Sequence, residues 1–260
     1  MEQISAFLKT VKIARKQSHK NMTVFPLLAP EDGDPGYLTL EEAMKKDLVQ
    51  VREVSESGSV PELLLLNRGT ESILIVEGEE LVGAKQNRIV NATFLIPGKT
   101  EIKLPVSCVE HGRWAYKSRE FQTSDKMMHA SLRQMSQSIV AENFVAGRGY
   151  RSDQSRIWDD ISEKAHHLEA NAPTGSMSDV YESTRERMDG YLRDFRLVEC
   201  QVGAIFAING EIAGMDFFGF SGTFSQFFQK LVKSYALDAI DWAKESEAEK
   251  EVPPDKARRF

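Results

Sequence analysis

Residues 78–114 read GEELVGAKQNRIVNATFLIPGKTEIKLPVSCVEHGRW, and two short apolar runs inside this stretch set the fold. Ile89–Ile96 and Glu101–Val109 flank the turn signal Pro97-Gly98, which predicts two strands of an antiparallel sheet. Alternate residues of a strand share a face. Val90, Ala92, Phe94 and Ile96 then form one side of the first run, and Ile102, Leu104, Val106 and Cys108 one side of the second. Arg88 and Glu110 continue the same parities, so each is expected at the rim of a core face, where they pair or grip a ligand together. A one-residue slip of register reverses that placement. Around them stand Glu79, Glu80, Gln86, Asn87, Arg113 and Trp114. Polar side chains this dense among core-forming segments either satisfy one another or face a ligand.

Upstream, Met22–Leu28, Val49–Val54, Glu62–Leu66 and Ser72–Val76 add further strands, and Thr39 with Glu42 three residues on predicts a capped short helix. Downstream the spacing turns helical. Met127, Leu132, Met135 and Ile139 predict a helix over Ser124–Phe144. A second helix carries Trp158 and Ile161, and a third runs from Ser178 to Phe195. Val198–Phe218 reads as a hairpin turning at Asn209-Gly210, apolar on both faces and therefore covered on both sides. A last helix from Thr223 carries Phe224, Phe227, Phe228, Leu231 and Tyr235. The expected architecture is α+β: an antiparallel β-sheet core, sandwich- or barrel-like, with a central helical segment and a C-terminal β-hairpin plus helix. Residues 1–22 read as an N-terminal extension, 23–243 as a single α+β domain, and 244–260 as a charged, disordered tail.

The 260 residues carry a net charge of −6 with 41% hydrophobic and 28% charged residues. That balance suits a soluble globular chain and argues against general nucleic-acid binding. No apolar run reaches the roughly 20 residues that span a bilayer, and there is no signal-peptide pattern. Two cysteines without CxxC spacing point to a reducing, cytoplasmic setting. No zinc site is expected, because His166 and His167 are helix neighbours whose rings diverge.

The motifs GEELVGAKQNRIVN, PVSCVEHGRW and QVGAIFAINGEIAGMDFF with KLVKSYALDAI resemble the ARG and rhodanese-phosphatase-superfamily associated protein domain family, from about Thr23 to Trp242. The resemblance implies no settled activity. The family's association with ADP-ribosylglycohydrolase and rhodanese or phosphatase domains implies a setting among ADP-ribose or NAD-related metabolites.

On the residues themselves, Glu79 and Glu110 are the candidate catalytic carboxylates, since acids in unequal environments acquire separated pKa values. Glu80, Gln86, Asn87, Arg88, Arg113, Trp114 and, from the last helix, Tyr235 are the candidate ligand-binding groups. The amides and the fork of Arg88 suit a phosphate, a carboxylate or a nucleobase edge, and Arg113-Trp114 suits an anion beside a planar ring. The expected partner is a small anionic or nucleotide-like metabolite, with no cofactor or metal specified. The alternative is a non-catalytic interaction or scaffold module whose polar set braces the sheet. Cys108 reads as a packed core cysteine.

Overall fold

The computed structural model describes residues 2–30, 33–243 and 257. The chain divides into two compact units, Gly36–Arg185 and a terminal unit made of Met1–Pro35 with Glu186–Phe260. In chain order the first terminal segment forms α1 (Glu2–Thr10), β1 (Lys12–Ile13), β2 (Gln17–His19) and β3 (Met22–Leu28). The 36–185 unit follows with β4 (Tyr37–Thr39), α2 (Leu40–Lys45), β5 (Val49–Glu53), β6 (Glu62–Asn67), β7 (Ser72–Ile75), β8 (Glu79–Gly83), β9 (Arg88–Val90) and β10 (Phe94–Ile96). It continues with β11 (Thr100–Cys108), β12 (Phe121–Met127), α3 (Ala130–Val145), α4 (Gln154–His167) and α5 (Met177–Ser183). The chain closes with α6 (Arg185–Asp194), β13 (Gln201–Ile208), β14 (Glu211–Phe217) and α7 (Ser221–Asp241).

The 36–185 unit is built on an antiparallel six-stranded sheet ordered β12-β8-β9-β11-β6-β5. Arg52 of the outer strand β5 bridges to Glu120, the residue just before the other outer strand β12, so the sheet curls towards a closed barrel and protects its edges. A smaller sheet, β10-β7-β4, contains one parallel pair, β4 on β7. Leu38, Val51, Leu65, Ile75, Leu81, Val106 and Phe121 share one core between the two sheets. Each such side chain contributes about 1.5–3 kcal/mol when fully buried. The expected capping box forms: Thr39 Oγ1 accepts from Glu42 N at 3.3 Å, and Glu42 Oε2 from Thr39 N at 2.9 Å.

Fully buried Asn67 holds the sheet ends together. Its amide donates to the carbonyls of Glu71 (2.9 Å) and Pro97 (3.0 Å) and accepts from Gly69 N (3.0 Å). Against this knot Gly98 has no room for a side chain, since a Cβ there would stand 2.2 Å from the Thr70 carbonyl oxygen. Gly98→Ala is expected to lower stability by about 2–3 kcal/mol, measured as a reduced urea midpoint at unchanged slope.

In the terminal unit the sheet runs β1-β3-β13-β14, with β2 also on β3, and α7 packs on β13. Asn209 (φ 52°) and Gly210 (φ 79°) both take the left-handed conformation that a type I′ turn requires. β13 is buried along its whole length. β14 is only partly buried, because it is the edge strand, so the hairpin is covered on both sides only along β13.

Three readings of the sequence are corrected. Ile89–Ile96 is not one strand: it breaks at residues 91–93 into β9 and β10, which belong to different sheets. The break is held by Asn91, which accepts from Ser107 Oγ (2.8 Å) and donates to the Tyr150 carbonyl (2.9 Å). The predicted Ser124–Phe144 helix begins only at Ala130, because Met127 pairs with Glu79 at the end of β12. The third predicted helix is two, α5 and α6, parted at Thr184. The tail expectation for 244–260 lies, Ala257 apart, outside the described residues. Among the described residues no helix is long and apolar enough to cross a membrane.

Candidate functional site

β9 and β11 bring the site together. Their register sets Arg88 opposite Cys108, and Arg88 is completely buried. Its Nη1 donates to the Gln86 carbonyl (3.2 Å), to Gln86 Oε1 (3.3 Å) and towards Cys108 Sγ (3.3 Å). The Cys108 thiol donates in turn to Gln86 Oε1 at 2.6 Å. Burial raises the Cys108 pKa against the pull of the Arg88 charge, so the sulfur is held as a thiol and is not poised as a nucleophile.

The rest of the guanidinium makes no hydrogen bond. Glu53, at the end of β5, reaches within 3.8 Å of Arg88 Nη2, too far for a hydrogen bond. Arg88 Nε, Arg88 Nη2 and Glu53 Oε2 are all buried without a hydrogen-bond partner. Trp114 lies over the cation with its ring centre 5.7 Å from Arg88 Cζ while staying 49% exposed. Lys85 Nζ sits 5.3 Å from Trp114 and 5.1 Å from Tyr116. The cover is fastened to the 55–58 turn by Lys85 Nζ donating to the Ser57 carbonyl (2.7 Å) and Tyr116 Oη to the Glu56 carbonyl (3.2 Å).

A second layer surrounds Glu110. Arg113 Nε and Nη2 hold its carboxylate at two points, 2.8 and 2.6 Å, and Asn87 N donates to it at 3.1 Å. Arg113 Nη1 further donates to the carbonyls of Ala84 and Ala115, both at 2.7 Å. Burial pushes the Glu110 pKa upward, but the Arg113 contacts and the Asn87 amide outweigh it and hold the carboxyl below its ordinary value. Glu80 is the opposite case. Burial raises its pKa, and the hydrogen bonds from Ser178, Ser124 and Asn87 only partly offset this. Ser178 Oγ lies 2.8 and 2.9 Å from its two oxygens. Asn87 Nδ2 reaches Glu80 Oε1 at 3.4 Å, so Asn87 touches both carboxylates.

The family model for the ARG and Rhodanese-Phosphatase-superfamily-associated Protein domain matches residues 10–260. The chain belongs to that family. No curated protein and no solved structure matches it. The family match takes in β1 and β2, ahead of the Thr23 start at which the sequence motifs become legible.

Within this family member the structure gathers Glu80, Gln86, Asn87, Arg88, Glu110, Arg113 and Trp114 into one connected set. Arg88 and Glu110 do not pair with each other; Gln86 links them, its Nε2 donating to the Glu110 carbonyl at 2.7 Å. Glu79 is buried beside Glu80 on β8, and its Oε2 accepts from Val76 N at 2.8 Å. Tyr235 belongs to the terminal unit, where it stacks on Phe206 (3.8 Å) and donates to Asp216 Oδ2 (2.8 Å). Gly214 leaves the space for that hydroxyl, as a Cβ there would lie 2.4 Å away.

Sequence reasoning passed over Glu53, Lys85, Ser178 and Gln154. Glu53 had a signal, since it continues the alternation Val49, Val51 onto the buried face of β5. Ser178 and Gln154 had none. Gln154 opens α4 and closes both backbone bonds of Cys108 at 2.7 Å, standing in for a missing strand partner. Among the described residues no group of three or more His, Cys, Asp or Glu is arranged to hold a metal ion.

Proposed function

We propose that the cluster beneath Trp114 binds a small anionic, nucleotide-like metabolite, with Arg88 receiving the negative charge. The observation that carries the reading is the half-used guanidinium: two buried donors, Nε and Nη2, without hydrogen-bond acceptors, with the nearest carboxylate oxygen, Glu53 Oε1, 3.8 Å from Nη2. A buried polar group left unpaired costs about 1–3 kcal/mol, more when charged, and such costs collect at functional sites. A ligand anion on Nε and Nη2 satisfies the two donors. Trp114 offers a ring face for a planar group, and the latch from Lys85 and Tyr116 to the 55–58 turn is what must open to admit it. The family's name supports ADP-ribose or NAD-derived compounds as the first to test. Both cysteines are free thiols, which suits a cytoplasmic metabolite-handling protein.

For a reaction on such a ligand, the carboxylates divide the work by proton affinity. Glu110 is the fixed anion, Glu80 carries the mobile proton, and Asn87 couples them. Glu79, on the opposite face of β8 from Glu80, supports the turn at Val76 and is a lesser candidate for chemistry. A second reading, a scaffold module, is favoured by Arg113, whose donors all find acceptors inside the chain.

Thermal unfolding with ADP-ribose, NAD and AMP separates the two. A ligand of the folded state adds about 2.7 kcal/mol at a hundred times its Kd, a rise of several degrees in Tm. A rise that is absent from Arg88→Met combined with Glu53→Gln supports the binding site. If none of the three compounds moves the wild-type Tm, the binding reading is rejected and the network stands as a brace.

A further inference from the structure

A separate concavity lies in the 36–185 unit. It is a cleft of about 370 Å³, within the size range of small-ligand pockets. One wall is a face of α4, where Ser155, Trp158, Asp159 and Ser162 recur at three- and four-residue spacing. The other wall is formed by His111 and the turn ending at Gly175. That second wall is fixed in place. Gly112 N donates to the Thr174 carbonyl at 2.7 Å, Glu110 bridges to Ser176, and a Cβ on Gly112 would stand 2.9 Å from the Thr174 oxygen. The cleft is therefore preformed, and within its lining His111 meets Trp158 edge to face at 4.5 Å.

The polar groups here contrast with those around Arg88. None of the side chains of His111, Ser155, Asp159 and Ser162 hydrogen-bonds to or pairs with another described residue. Two hydroxyls, a carboxylate and an imidazole are left free over an aromatic floor. Among the described residues no lysine or arginine lines the cleft, which is the wrong lining for a phosphate. A carboxylate accepts from two neighbouring hydroxyls at once, as acidic residues do on ribose, while an aromatic ring covers the apolar face of a sugar. We propose that this cleft binds a neutral ring carrying vicinal hydroxyls, either a free sugar or the ribose of a nucleoside. The proposal is independent of the Arg88 site.

The test follows the three indole N–H resonances of the 15N-labelled full chain, assigned by single Trp→Phe variants, during titration with D-ribose, D-glucose and adenosine. The expected result is a saturable displacement of the Trp158 signal by at least one of them. Asp159→Asn, at an exposed position, is expected to weaken the binding by about tenfold or more, and Ser162→Leu to abolish it by filling the cleft. Preference for adenosine over both sugars assigns a nucleoside, and equal or better binding of a sugar assigns a free sugar. No saturable Trp158 displacement by any of the three overturns the proposal. So does an undiminished response in Asp159→Asn, or displacement by choline in place of the sugars. A ligand that moves only the Trp114 signal also overturns it, and leaves the Arg88 site standing.

Discussion

Arg88→Ala is expected to destabilise the chain by about 3–5 kcal/mol, the usual cost of removing one member of a buried ion pair. The loss has three sources. Glu53 would remain a buried carboxylate with no cation beside it, since the next contact of Glu53 is the Lys85 amide at 3.4 Å. Gln86 Oε1 and Cys108 would lose the donor between them. The volume of one of the largest fully buried side chains would be left empty, adding a cavity term. Arg88→Met with Glu53→Gln should recover most of the stability, because it removes both charges and keeps the volume. Urea denaturation of Arg88→Met, Glu53→Gln and the double variant measures this as a coupling energy. A loss below about 1 kcal/mol in Arg88→Ala would show that Glu53 is already neutralised elsewhere, and would remove the electrostatic basis of the site.

The parts of the fold legible in the sequence are those whose cause is local. Thr39 and Glu42 cap α2 because both partners lie within one turn. Asn209-Gly210 sets its hairpin because only those residue types enter the left-handed region easily. β8 and β12 were illegible for the opposite reason. The two strands exist through pairing with each other, Leu81 with Thr123 and Glu79 with Met127, across a gap of more than forty positions, and no alternation of apolar residues announces it. The break after β9 was hidden in the same way, since Asn91 turns the chain only through Ser107 and Tyr150.

Only part of the candidate cluster was legible in the sequence, and none of its wiring. Parity argued that Arg88 and Glu110 converge; both are buried, Arg88 opening β9 and Glu110 two residues past the end of β11. What parity cannot supply is who bonds to whom. Glu110 is taken by Arg113, three residues on, where bidentate geometry is available. Arg88 is left to Glu53, which arrives from the far edge of the curled sheet. The closing of that sheet through Arg52 and Glu120 is a property of six strands together, so no single segment could signal it.

That wiring sets opposite pH signatures for two carboxylates only one amide apart. The Glu110 pKa is lowered in the fold relative to its ordinary 4.5. Its stabilisation is therefore complete above that value and is lost as pH falls through the lower, folded pKa. Glu80 is raised from the same 4.5; its contribution is complete below 4.5 and is lost as pH climbs through the folded pKa. Glu110→Gln should cost about 3 kcal/mol at neutral pH, since it leaves Arg113 half-paired in a largely enclosed position, and the deficit should shrink in acid. Glu80→Gln should match or exceed the wild type at neutral pH, because it removes a buried acid while Ser178 and Asn87 still find an amide to bond, and that advantage should fade below 4.5. Urea midpoints of both variants across the acid-to-neutral range test the pair. A Glu110→Gln deficit that does not vary with pH, or a Glu80→Gln variant weaker than wild type at neutral pH, contradicts the assignment. Either result would mean that Asn87 joins two ordinary carboxylates, and the division into fixed anion and proton carrier would have no physical ground.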